Sequence, residues 1–134
     1  MLQQVSIYAE NQKGAMLKIT EILLREEINI WGSVTNDSAE YGIVRMIVSD
    51  PQKARKALDE AGYMTKLTDV LGVEVEDRPG SLNTLLLALA DSNISLNYIY
   101  LSFNRDSGMP VMVFQTDDAW EVEGSLKERG FRTV

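Results

Sequence analysis

Glu76-Asp77-Arg78-Pro79-Gly80-Ser81-Leu82 repeats, 66 residues further on, the pattern of Glu10-Asn11-Gln12-Lys13-Gly14-Ala15-Met16. With Gly14 set against Gly80, Leu23 meets Leu89, Ile28 meets Ile94, Gly42 meets Gly108 and Met46 meets Met112. Two extra residues near Thr116-Asp117 move the offset to 68, after which Leu58 meets Leu126, Gly62 meets Gly130 and Tyr63 meets Phe131. Identities are few, but apolar positions and turn residues keep one order to the end. That is the mark of an internal duplication.

Each copy reads as the same succession of elements. Val5, Ile7 and Ala9 alternate with Ser6, Tyr8 and Glu10, as Leu71, Val73 and Val75 alternate with Gly72, Glu74 and Glu76, the pattern of a half-buried strand. After the glycine turn, helical spacing predicts helices near 15–26 and 81–92, the first with Met16, Ile19 and Leu23 on one face. Strands rich in β-branched and aromatic residues follow over Ile28–Thr35 and Ile94–Phe103. Turn residues cluster in Asn36–Gly42 and Asn104–Gly108, before strands near 43–49 and 109–116. Asp50-Pro51 is a helix start, and Asp118 is expected to cap the matching helix in the second copy. Gly62 and Gly130 suit the left-handed position past a helix end, and short strands from Tyr63 to Leu67 and Phe131 to Val134 close the copies.

The order β-α-β-β-α-β is the split βαβ arrangement. The expected fold is therefore α+β: two tandem ferredoxin-like units, residues 1–67 and 68–134, each an antiparallel four-stranded sheet with its helices on one face. Lys66-Leu67-Thr68-Asp69 contains no Pro, Gly or Ser that would mark a flexible linker.

Composition narrows function by exclusion. The net charge of −7, with Lys and Arg scattered among more numerous acids, opposes binding to nucleic acid or to an anionic membrane. Histidine and cysteine are both absent, which removes the usual general base, the usual metal ligands and the strongest nucleophile. No catalytic residues, metal site or cofactor are expected. The opening Met1-Leu2-Gln3-Gln4 lacks the features of a signal peptide, and the expected compartment is the cytoplasm.

Leu85-Leu86-Leu87-Ala88-Leu89-Ala90 is apolar around the whole helix, which suits a helix packed against a second helix, of a repeat or of another chain. Val44, Met46 and Val48 alternate with Ile43 and Ile47, so the sheet face away from the helices is expected to be partly covered. A homodimer would satisfy both features.

The strand–turn–helix segment Glu76–Leu82 resembles the signature of the ACT domain family: an acidic or amide residue, any residue, Pro and Gly before an apolar helix. The first copy keeps Asn11 and Gly14 but has Lys13 in place of the proline. The spacing to Ile28-Asn29-Ile30 and Ile94-Ser95-Leu96 is also similar to the family. This resemblance implies a non-catalytic regulatory protein that binds a small molecule, a free amino acid above all, where a turn of one unit faces a neighbour. The implied ligand-binding residues are Asn11, Gln12, Lys13, Gly14, Ala15, Met16 and Asn29 in the first copy. In the second they are Asp77, Arg78, Pro79, Gly80, Ser81, Leu82 and Ser95. Asn11 and Asn29 can both donate and accept, whereas an ionised Asp77 only accepts. Trp31, Tyr98 and Tyr100 would either line a pocket for an apolar side chain or serve as core and interface aromatics. Two alternatives stand beside the sensor reading: an interaction module that dimerises without ligand, and a small enzyme on a shared fold.

Overall fold

The glycine that ends each repeated turn takes the left-handed backbone conformation that L side chains resist: φ is 85° at Gly14 and 90° at Gly80. A computed structural model describes residues 1–10, 12–37 and 41–134. Asn11 and the hairpin residues 38–40 lie outside the described residues. The chain divides into two compact units, Gln3–Thr68 and Asp69–Val134 with Met1–Leu2.

In the N-terminal unit, β1 (Leu2–Glu10) leads into α1 (Ala15–Arg25), then β2 (Ile30–Asp37), β3 (Tyr41–Val48) and α2 (Pro51–Glu60). β3 pairs antiparallel with both β1 and β2, with Ile7 opposite Val44 and Thr35 opposite the same residue. β1 also pairs with β4 (Met64–Glu74), which crosses the boundary between the units. The C-terminal unit continues with α3 (Ser81–Asp91), β5 (Tyr98–Phe103), β6 (Pro110–Gln115), α4 (Ala119–Glu128) and β7 (Arg132–Thr133). There β6 pairs antiparallel with β5 and β4, and β4 pairs with β7.

Two separate strands were expected where β4 is one. Thr68-Asp69-Val70 offers no turn residue, and Thr and Val favour extended backbone, so the last strand of one copy continues as the first of the next. Ile28 and Ile94 also fall outside the strands assigned to them, because each belongs to the closure of the preceding helix.

All four described helices close in the same way. The N–H of Ile28, Tyr63, Ile94 and Phe131 donates to the carbonyl of Leu23, Leu58, Leu89 and Leu126, at 2.9 to 3.0 Å. The preceding residue is left-handed each time: Glu27, Gly62, Asn93 and Gly130. This is the Schellman closure, and the apolar residue after it turns into the core. At the other end, Asp50 caps α2 by accepting from the Lys53 N–H at 3.1 Å, with Pro51 in the first turn. Asp118 does not repeat this. With two inserted residues before it, its backbone enters α4 left-handed (φ 54°), and its side chain makes no cap hydrogen bond. A capping side chain reaches its target from extended backbone, not from this one.

The core repeats position by position. Val5, Ile7, Ile19, Leu23, Met46 and Leu58 are buried in one unit, and Leu71, Val73, Leu85, Leu89, Met112 and Leu126 in the other. Each fully buried aliphatic side chain contributes about 1.5–3 kcal/mol by leaving water. The strand face away from the helices is buried too. Gln4, Ser6 and Ile47 lie there in one unit, and Val70, Tyr100, Ser102, Val111 and Val113 in the other. Gln4 and Ser6 keep a hydrogen bond of 3.2 Å to one another. Among the described residues, no helix is long and apolar enough to cross a membrane.

One buried charge stands out. Glu123 on α4 meets the Met1 ammonium at 3.1 Å and Lys127 Nζ at 3.3 Å, while the Met1 ammonium also donates to the Val134 carbonyl. Burial pushes the Glu123 carboxyl up, but the two cations outweigh it and hold the group below its ordinary value of 4.5. A carboxyl lowered by folding contributes stability above its unfolded pKa and loses it as pH falls through the folded value.

Two outcomes are expected. Glu27→Gly relieves a left-handed glutamate and should raise stability by about 0.5–1 kcal/mol in urea unfolding. The urea midpoint of the native chain should fall on acidification below about pH 4.5, and Glu123→Gln should flatten that acid limb.

Candidate functional site

The two strand–helix turns are built by the same backbone bonds. In the first, the Gln12 N–H donates to Glu10 O at 2.8 Å and the Ala15 N–H to Gln12 O at 3.2 Å. In the second, Arg78 donates to Glu76 O at 3.0 Å and Ser81 to Arg78 O at 3.3 Å. Lys13 in place of Pro79 therefore leaves the turn unchanged; proline adds only a fixed φ. The helical ladder then starts with Lys18 N–H on Gly14 O and Thr84 N–H on Gly80 O.

Neither α1 nor α3 has a side-chain cap, so Asp77 does not cap its helix. The next N–H groups, of Met16 and Leu17 and of Leu82 and Asn83, precede the helical ladder and have no carbonyl of their own helix to reach. An anion suits such an end, where the peptide dipoles add.

A hollow borders each turn on the side of the last helix-to-strand connection. In the N-terminal unit it measures about 600 Å³ and is walled by Tyr8, Glu10, Lys13, Lys18, Tyr63 and Met64. The matching hollow of the C-terminal unit measures about 740 Å³, with Glu74, Glu76, Pro79, Thr84, Phe131 and Arg132 in the corresponding places. A smaller one of about 260 Å³ lies on the other flank of the first turn, between Gly14, Met16, Thr35 and Val44. Gln12, Lys13, Gly14, Ala15 and Met16 thus share one neighbourhood, and so do Arg78, Pro79, Gly80 and Ser81.

The remaining expected residues lie elsewhere. Asn29 borders a hollow with Thr20, Leu24 and Ile30 at the far end of α1, and its backbone is tied to Ser49 by two hydrogen bonds. Ser95 lies beside Asp117, Asp118 and Glu121, and its carbonyl accepts from Thr116 Oγ1 at 2.9 Å. An eleven-residue helix is about 16 Å long, so within one unit the turn and Asn29, or the turn and Ser95, do not reach one small ligand. Tyr98 and Tyr100 stack with ring centroids 6.4 Å apart, and Tyr100 is buried. Neither they nor Trp31 lines any of these hollows.

Sequence reasoning missed Tyr8, Lys18, Tyr63 and Met64, and their counterparts Glu74, Thr84, Phe131 and Arg132. One signal was available: Tyr63 and Phe131 each follow a helix-ending glycine in register.

Charge distribution separates the two hollows. In the second, Glu76 pairs with Arg78 at 2.9 Å, and the almost buried Glu74 with Arg132 at 3.5 Å and Asn104 Nδ2 at 3.0 Å. In the first, Gln12 donates to Glu10, while Lys13 and Lys18 have no ion-pair partner among the described residues.

The family model described as an ACT domain pair matches residues 1–129. The chain belongs to the ACT domain pair family. A solved structure of a Bacteroides thetaiotaomicron protein is 32% identical to this ACT pair, with a TM-score of 0.90 over 99% of this chain and 91% of that one. The regulatory subunit of aspartate kinase from Thermus thermophilus, in ligand-free form, is 19% identical, with a TM-score of 0.68 over 93% and 88% of the two chains. Its counterpart from Thermus flavus is 18% identical, with a TM-score of 0.66 over the same shares. At these identities the two Thermus subunits share the fold. Curated proteins give no match.

Proposed function

We propose that this ACT pair is a non-catalytic, cytoplasmic regulatory protein that binds a free amino acid at its strand–helix turns. The observation that carries the reading is the repeated turn itself: two helices start on a left-handed glycine without a side-chain cap, beside a hollow. The amino acid's carboxylate takes the open N–H groups, and Glu10 or Glu76 accepts from its ammonium. The repeats are residues 1–67 and 68–134, which differ from the compact units only in Met1–Leu2 and Thr68, and each has the four-stranded sheet of a ferredoxin-like fold. The regulatory subunits of aspartate kinase that share the fold support a regulatory role. The output passes through assembly or a protein partner.

The assembly is a homodimer formed through α3. Leu85, Ala88 and Leu89 of that helix face the core, while Leu82, Leu86 and Leu87 stay exposed, Leu87 by 55%. The only charge in the helix is Asp91 at its end, so the outer face has nothing to attract a charged partner and suits its own copy.

A thermal-shift screen against the free amino acids tests the binding. Ligand at a hundred times its dissociation constant adds about 2.7 kcal/mol. For a chain of this size the midpoint should rise by several degrees with at least one amino acid. No shift with any of them would leave a dimerisation module without ligand. Light scattering should give the mass of two chains, and Leu87→Glu should give the mass of one; a monodisperse native monomer at micromolar concentration overturns the dimer.

A further inference from the structure

We infer that the hollow of the N-terminal unit, and not that of the C-terminal unit, takes an amino acid with a large apolar or aromatic side chain. The inference rests on the reading that the turns hold amino acids, and adds which side chain and which copy.

The two hollows share a backbone and differ in what lines it. In the N-terminal unit Tyr8, Tyr63 and Met64 form an apolar wall, with Tyr8 40% and Met64 72% exposed in the absence of anything covering them. Apolar side chains open to water on one side of a concave surface gain from a body that covers them. Lys13 and Lys18 stand at the same hollow with no ion-pair partner among the described residues. Glu10 holds Gln12 with one oxygen and keeps the other for a donor. The three requirements of an apolar zwitterion are therefore met together: cations for the carboxylate, an acceptor for the ammonium and a wall for the side chain.

The C-terminal hollow keeps an acceptor, Glu76, and one ring, Phe131, but lacks the unpaired cations and the Tyr8 and Met64 parts of the wall. Tyr8 is replaced by Glu74, Met64 by Arg132, Lys13 by Pro79 and Lys18 by Thr84. Its charges are already joined in Glu76–Arg78 and Glu74–Arg132 pairs. A ligand's charged groups would have to displace those pairs, and an apolar body would desolvate them.

Calorimetric titration of the full chain with four probes tests this: L-phenylalanine, glycine, 3-phenylpropionate and phenethylamine. L-Phenylalanine should bind once per chain, and glycine, which lacks the body, about tenfold more weakly or less. The probes lacking the ammonium or the carboxylate should each bind severalfold more weakly. Lys18→Gln should weaken L-phenylalanine severalfold and leave phenethylamine unchanged, with Lys18→Arg restoring the affinity. Arg132→Gln, in the other hollow, should leave L-phenylalanine binding as it is. All of these side chains are at the surface, and unchanged unfolding midpoints without ligand confirm the fold of each variant. Glycine binding as tightly as L-phenylalanine overturns the inference while the proposed function stands. So does loss of binding in Arg132→Gln but not in Lys18→Gln. No binding by any amino acid overturns both.

Discussion

A left-handed residue just past each helix, followed by an apolar side chain driven into the core, is the constraint on which both units depend. Ile28, Tyr63, Ile94 and Phe131 occupy that second place. Each pins the chain as it leaves a helix, so that the next strand starts beside the sheet the helix already covers. Without the closure, the last-turn carbonyls would lack partners and the strand would enter at another angle. At Tyr63 and Phe131 the same device also serves the site, since each aromatic ring walls a hollow while packing against its own core.

The duplication preserved backbone and core more strictly than surface. A buried position answers to volume and packing, and Leu58 and Leu126, or Met46 and Met112, changed little because a methylene more or less is felt there. The hollows answer to no such demand. Their walls differ, with Tyr, Lys and Met in one copy and Glu, Thr and Arg in the other, while the turn beneath keeps its hydrogen bonds. One scaffold thus carries an open cationic and aromatic surface in one copy and a set of closed ion pairs in the other. The α3 helix shows the same freedom, with exposed leucines where α1 carries Thr20 and Glu21.

Duplication, the order of elements, the helix ends at Gly62 and Gly130 and most of the core were legible in the sequence. They rest on short-range rules: the period of a strand or helix, and the few residues that accept left-handed backbone. The ACT signature at Asp77-Arg78-Pro79-Gly80 was legible for the same reason, because a turn is contiguous. Tertiary structure decided the rest. The burial of Gln4 and Ser6, which alternation assigns to the wet face, depends on what lies over that face rather than on the strand's own period. The single strand β4 depends on pairing partners found on either side of it. The failure of Asp118 to cap follows from how the chain enters α4. Above all, the hollow joins Tyr8 and Lys18 to Tyr63 and Met64, more than forty residues further on, and Asn29 to a different end of the unit. Local pattern reaches only along the chain, whereas a site is assembled across it.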